Sequence, residues 1–273
     1  MTAPTTATMM MSRTTPALTV RPGDVKIAPI LKSPYLVEGT RNPINLLYYL
    51  HVARSMAAQS TFFAASEAAH RYVLDEVRQA DRDRFLAALF APEPQRRGLL
   101  ALLAFDHELG RTRTVTREPM LARIRLEWWR EAIGEAVGEG KPRAQPVVES
   151  LSETVRRHGL PQQRLLALID AHEEEVEGAL DVVRAGHALA DLQLGVLGVD
   201  AAATRSAARA VAAAGLMGEG PERAALLAEA RALRPQIDPA ALPILLPARL
   251  LDRRWAPWQK PLVLWWAARR GRY

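Results

Sequence analysis

The chain has 273 residues, 49% of them hydrophobic but only 6% aromatic, and it contains no cysteine. Such a composition allows a substantial core and favours helices built on Ala and Leu over a β-sandwich. It excludes disulfides, a thiol nucleophile and cysteine-ligated zinc. The formal charge of +6 is modest, with no basic stripe, interleaved aromatics or known module of the kind that marks a nucleic-acid binder.

Prolines at 4, 16, 22, 29, 34 and 43 break every periodicity in residues 1–43, which are expected to form a flexible leader. Its first 23 residues carry two arginines and no acid, a faint likeness to a mitochondrial presequence beside the plainer reading of a disordered tail. Residues 44–63 (INLLYYLHVARSMAAQSTFF) form an apolar accessory helix, and residues 64–273 the main helical domain. Within that domain the first helix spans about 66–79, with Tyr72 and Val73 inward. Phe85, Leu86, Leu89 and Phe90 keep helical spacing until Pro92 and Pro94 stop it. Leu99, Leu100, Leu103 and Phe105 resume the pattern as far as Leu109.

Thr116, Glu118 and Pro119 signal the next helix start. Leu121, Ile124, Trp128, Ala132 and Ile133 mark its apolar stripe, with Trp128 packed in the core. A loop at 140–146 leads to a helix over 147–158, closed at Gly159. After Pro161, Leu165, Leu168, Ile169, Val176 and Leu180 share a face; a weaker stretch covers 182–197. An alanine-rich helix (200–214), a turn at GLMGEGPE, a helix over 221–233, a short proline-stopped helix and a final apolar helix after Pro261 complete the chain. No run alternates as a strand does, so the expected fold is all-α. No apolar run reaches the roughly 20 residues of a membrane-spanning helix.

The segment AFDHEL followed by EPMLARIRLEWWREAI, and the ending WWAARRGRY, resemble the squalene/phytoene synthase family, and most of all its complex I assembly-factor branch. The resemblance runs from about 72 to 273. It implies an isoprenoid-synthase-like helical bundle, here shortened in its second half. Active members hold Mg²⁺ on two acidic motifs, because the diphosphate leaving group must be neutralised as its bond breaks. Where the first motif should stand, this chain has Asp106, Glu108, Gly110, Arg111 and Thr114. Arginines repel a cation, and Asp106 and Glu108, two apart on a helix, point away from each other. They are expected on a solvated or salt-bridged surface. The second motif should follow Gly215-Leu216, but the chain turns at once into the next helix.

Other candidates are few. Asp170, Glu174 and Glu177 share a helix face, expected to be solvated, with a divalent-cation site as the alternative. No Gly-x-Ser-x-Gly elbow, His-Glu-x-x-His pair or phosphate loop is present. Trp255, Trp258, Trp265 and Trp266 lie among arginines, and suit a membrane interface or a protein contact as well as plain packing. Leu103, Phe105 and Trp128 would line a prenyl pocket, were one retained. The resulting expectation is a non-catalytic assembly factor or scaffold for respiratory complex I. It has no catalytic residues or cofactor, a protein partner and peripheral membrane contact. Its place is the cytoplasm or the inner face of the membrane in a bacterium, or the matrix side in a mitochondrion. The alternatives are a Mg²⁺-dependent prenyl diphosphate transferase and a prenyl-lipid-binding protein.

Overall fold

The computed structural model describes residues 67–115, 118–138 and 140–273, and every regular element among them is helical. The leader, the accessory helix at 44–63 and Thr116 lie outside these residues. Helix α1 (67–80) buries Ala69, Val73 and Val77. Tyr72, expected inward, is 43% exposed, because it sits one residue off that 3.6-residue stripe. Helix α2 (Arg82–Ala88) is capped by Asp81, whose carboxylate accepts from the Arg84 backbone N–H at 2.8 Å.

Helix α3 (Gln95–Val115) runs through the centre of the domain. From Leu99 to Asp106 no residue on any face of it is more than 6% exposed, the pattern of a helix enclosed on all sides. Helix α4 (Pro119–Val137) starts at a proline whose missing N–H would have been unpaired anyway. It turns Ala122, Leu126, Trp129, Ile133 and Ala136 to the core. The stripe expected from Leu121, Ile124 and Trp128 faces outward instead. Met120, Leu121 and Ile124 are 74%, 49% and 60% exposed, and Trp128 is at the surface beneath Arg143, 5.1 Å from the ring centre.

Helix α5 (Pro146–His158) ends at Gly159 with φ 63°, a left-handed conformation that glycine adopts without a Cβ clash. Arg156, Arg157 and His158 in its last turn complement the helix dipole. Helix α6 (Gln162–Glu177) buries Leu165, Leu168 and Ile169 completely, while Leu180 lies past its end.

Helix α7 (Val182–Leu197), weak in sequence, is among the most buried elements of the domain, with Ala185, Leu189, Ala190, Leu192, Leu194 and Val196 all interior. It packs on α8 (Ala202–Leu216), whose inner face is mostly alanine. At Gly186 the two backbones come so close that a Cβ would lie 2.5 Å from the amide nitrogen of Ala213. Small residues on both helices are what permit this approach. A tight turn after Met217 leads to α9 (Pro221–Ala232). Two 3₁₀ turns and the short helices α10 (Leu242–Leu245) and α11 (Pro247–Leu250) then bring the chain back beside α2.

Helix α12 (Lys260–Arg269) docks through Leu264 and Ala267 onto Ala87, Leu246 and Leu250. Lys260 Nζ anchors it with bonds of 2.7 and 2.8 Å to the carboxylate of Asp83 on α2. Tyr273 is 1% exposed, and its hydroxyl donates to the Ala230 carbonyl at 2.8 Å.

Candidate functional site

Leu99, Leu103, Asp106 and Gly110 follow one another along α3 at intervals of three and four, so they share a face. The lower half of that face, Leu99 and Leu103, forms part of the wall of a cavity of about 260 Å³. Leu189 and Gln193 of α7, Val211 of α8 and Ile244 of α10 line its other sides. Of the three residues expected to line a pocket, only Leu103 does. Phe105 is fully buried in the core, edge-on to Trp129 with centroids 5.3 Å apart, and Trp128 stands on the outer face of α4.

The upper half of the face holds an ion cluster. Asp106 is 6% exposed, which overturns the expectation of a surface position. One carboxylate oxygen accepts from Arg84 Nη1 at 3.1 Å; the other accepts from His172 Nε2 at 3.3 Å. Arg84 reaches back through Nε to Asp81, and His172 Nδ1 faces Glu175 at 3.4 Å. Burial by itself would raise the Asp106 carboxyl and lower the His172 imidazole. For Asp106 the hydrogen bond from His172 and the Arg84 charge outweigh burial and hold it below its ordinary value. For His172 the bonds and charges of Asp106 and Glu175 win, and its pKa is pushed up to about 9. The imidazole is therefore a cation at neutral pH and donates from both nitrogens.

Glu108 is equally buried but belongs to a separate group, as the spacing required. Its oxygens meet Arg111 Nη1 at 3.1 Å and Arg125 Nη2 at 3.2 Å, and Arg111 also reaches Glu76. A Cβ at Gly110 would find the His172 ring carbon at 3.8 Å, so this position faces an imidazolium. The side chain of Thr114 is outside the described residues.

A resident Mg²⁺ does not fit these groups. A hard cation needs several free oxygen ligands. The oxygens of Asp106 and Glu108 already bind four cations between them, and Gly110 and Arg111 supply none.

The acidic face of α6 is also neutralised rather than free. Asp170 pairs with Arg130 at 2.6 Å, Glu173 pairs with the same guanidinium, and Glu174 pairs with Arg184. The side chain of Glu177 is not among those described. No cluster of three or more His, Cys, Asp or Glu side chains able to hold a metal occurs among the described residues.

The raised pKa of His172 has a consequence for stability. The folded value of about 9 lies above the ordinary 6.5. Its contribution is therefore complete below about pH 6.5, declines above that, and is lost as pH rises through 9. The urea midpoint of the wild-type protein is expected to fall between about pH 6.5 and 9.5. Asp106→Asn should flatten that slope, because the carboxylate that holds the proton is gone. Parallel slopes in the two proteins would contradict the assignment.

A second feature lies on the outer face of α12 and the turn just before it. Trp258, Leu262, Trp265 and Trp266 are 71%, 61%, 55% and 41% exposed. Guanidinium groups of Arg269 and Arg270 sit over the Trp265 and Trp266 rings. Trp255 is only half-exposed: Arg253 covers its ring, and its indole N–H donates to the Arg249 carbonyl at 3.3 Å. No acidic residue occurs between Arg253 and Tyr273.

A sequence model described as squalene/phytoene synthase matches residues 77–194, the span from the end of α1 to the wall of the cavity. Over that span, a little under half of its length, the chain is similar to squalene/phytoene synthases. The family match is narrower than the span from 72 to 273 that the motifs suggested. A solved structure, that of squalene synthase HpnC from Alicyclobacillus acidocaldarius, superposes with a TM-score of 0.53 at 16% identity, over 76% of this chain and 96% of its own. That likeness is one of fold. Among curated proteins, complex I assembly factor 6 from Bos taurus is 31% identical over 124 residues, 45% of this chain and 36% of that protein. The Rattus norvegicus counterpart is 32% identical over 126 residues, 46% of this chain and 37% of its own length. The chain thus spans little more than a third of the length of these relatives.

Arg84, His172 and Gln193 escaped sequence reasoning. Arg84 is 22 residues before Asp106 and His172 is 66 after it, so no local pattern joins them. The one available hint was a histidine embedded in the acidic run of α6.

Proposed function

We propose that this chain, similar over part of its length to squalene/phytoene synthases, is a non-catalytic factor that supports assembly of a respiratory membrane complex of the complex I type, without a metal cofactor. The observation that carries the reading is the buried Asp106 bound between Arg84 and His172. Two internal cations occupy this carboxylate, and Gly110 and Arg111, which stand where active squalene/phytoene synthases are expected to carry aspartates, offer Mg²⁺ no ligand. The assembly role itself is taken from the named function of the mammalian relatives.

Work on a membrane-embedded complex requires a surface for it. No helix among the described residues is long and apolar enough to cross a membrane, so the contact would be peripheral. The exposed tryptophans and arginines of α12 have the chemistry of an interfacial or protein-binding patch. The site of action would be the inner face of the bacterial membrane, or the matrix side in a mitochondrion. No observation favours the prenyl transferase alternative.

Deleting the gene in its own organism is expected to reduce assembled complex I on native gels, with restoration by the wild-type chain. Normal complex I in the deletion strain would refute the assembly role. In parallel, the purified full chain titrated with Mg²⁺ and a non-hydrolysable farnesyl diphosphate analogue should show no Mg²⁺-dependent binding. Such binding by the folded protein would refute the non-catalytic reading.

A further inference from the structure

We propose that the cavity beside α3 binds a neutral amphiphile, an apolar chain ending in a hydroxyl or carbonyl, whose head is held by the Gln193 amide.

Three observations converge. The first is space: about 260 Å³ is close to the lower end of the roughly 300–1,000 Å³ typical of small-molecule sites. Leu99, Leu103, Leu189, Val211 and Ile244 surround it with hydrocarbon. The second is Gln193, which lines this cavity yet is only 7% exposed. Among the described residues no hydrogen bond from its side-chain amide occurs, so the amide is free to pair with a group inside the cavity. An amide both donates and accepts, so it can meet either a hydroxyl or a carbonyl.

The third observation is charge. Among the described residues lining the cavity Arg84 is the one cation, and it is held by Asp81 on one side and Asp106 on the other. Asp81 and Asp83 belong to the same wall, and Asp83 is matched by Lys260. Among the described residues the cavity therefore offers a ligand hydrocarbon, one amide and charged groups that are already paired with one another or with neighbours. An anionic head would have to displace a buried carboxylate from Arg84 before gaining anything.

This separates the proposed ligand from any diphosphate, and the binding holds whether or not the assembly role does. The test compares two heads on one short chain, 1-decanol and decyl phosphate, titrated calorimetrically into the full-length protein below their aggregation concentrations.

Decanol is expected to bind at least ten times more tightly than decyl phosphate. Gln193→Leu, close in volume but without the amide, should weaken decanol about two- to tenfold, the range of one neutral hydrogen bond, and leave decyl phosphate unchanged. Leu103→Trp, which fills the cavity, should abolish decanol binding. Thermal melts of both variants establish that they fold; if Leu103→Trp does not, Ile244→Trp fills the opposite wall and replaces it. Equal or tighter binding of decyl phosphate, no decanol binding by the folded wild-type chain, or binding unaffected by a cavity-filling variant would each overturn the proposal.

Discussion

Asp106→Ala is expected to destabilise the protein by about 3–5 kcal/mol, the range for removing one partner of a buried ion pair. Asp106 is itself 6% exposed, with two cations directly on its oxygens. Without it Arg84 keeps only Asp81, and His172 keeps only Glu175. The cost comes mainly from the charge left behind in a poorly hydrated interior, not from the lost attraction. His172 would respond by losing its proton, so the same variant should lower the histidine's pKa from about 9. The measurement is the urea midpoint at neutral pH with the slope checked for constancy, together with the His172 titration by NMR. A loss below about 1 kcal/mol, with the histidine titration unmoved, would mean that the three side chains do not form the cluster described.

The second large effect separates two adjacent tryptophans. Trp129→Ala should cost about 3–5 kcal/mol, as expected for emptying a large aromatic site in a packed core. Trp129 is 2% exposed and makes edge contacts with Phe105 and Trp128. Trp128→Ala should cost about 1 kcal/mol or less, because the ring is partly solvated and Arg143 lies over it at the surface. Equal losses from the two substitutions would show that α4 is rotated relative to the orientation described.

This pair also marks the limit of what periodicity tells. The expected stripe joined Leu121, Ile124 and Trp128, which lie on the outside of α4, to Ala132 and Ile133, which are buried with Ala122, Leu126 and Trp129 on its inner face. Both sets of residues fit a 3.6-residue repeat, and the large side chains of Leu121, Ile124 and Trp128 made the outer positions look like the core. Helices α3, α5 and α6 decide the matter by packing on the inner face. A similar inversion occurs at α7. Its glycine at 186 weakens the helical signal, since glycine costs helix stability in isolation. In the folded domain that glycine is what lets the Ala213 backbone approach.

The candidate site divides in the same way. That Asp106 and Glu108 would act separately followed from their spacing along one helix. Their burial did not follow, because it depends on Arg84, His172 and Arg125 arriving from three other helices. The cavity was legible only at Leu103, for a void is a property of several elements together and of no single segment.

The sequence by itself determined the helical class and most of the helix ends. Those are set by chemistry within one turn: Gly159 taking φ 63°, Asp181 capping α7, Pro221 opening α9. The helix expected to run through Phe90 to Pro92 is shorter: α2 ends at Ala88, and Leu89 and Phe90 lie in an exposed turn. It also carried the family motifs and showed that carboxylates are sparse where active members need them. Only the tertiary structure decided which apolar stripe is inside, which charges are buried together, and where hydrocarbon walls leave room around Gln193. Those outcomes depend on contacts between residues tens of positions apart, whose energies exist only once the helices have packed.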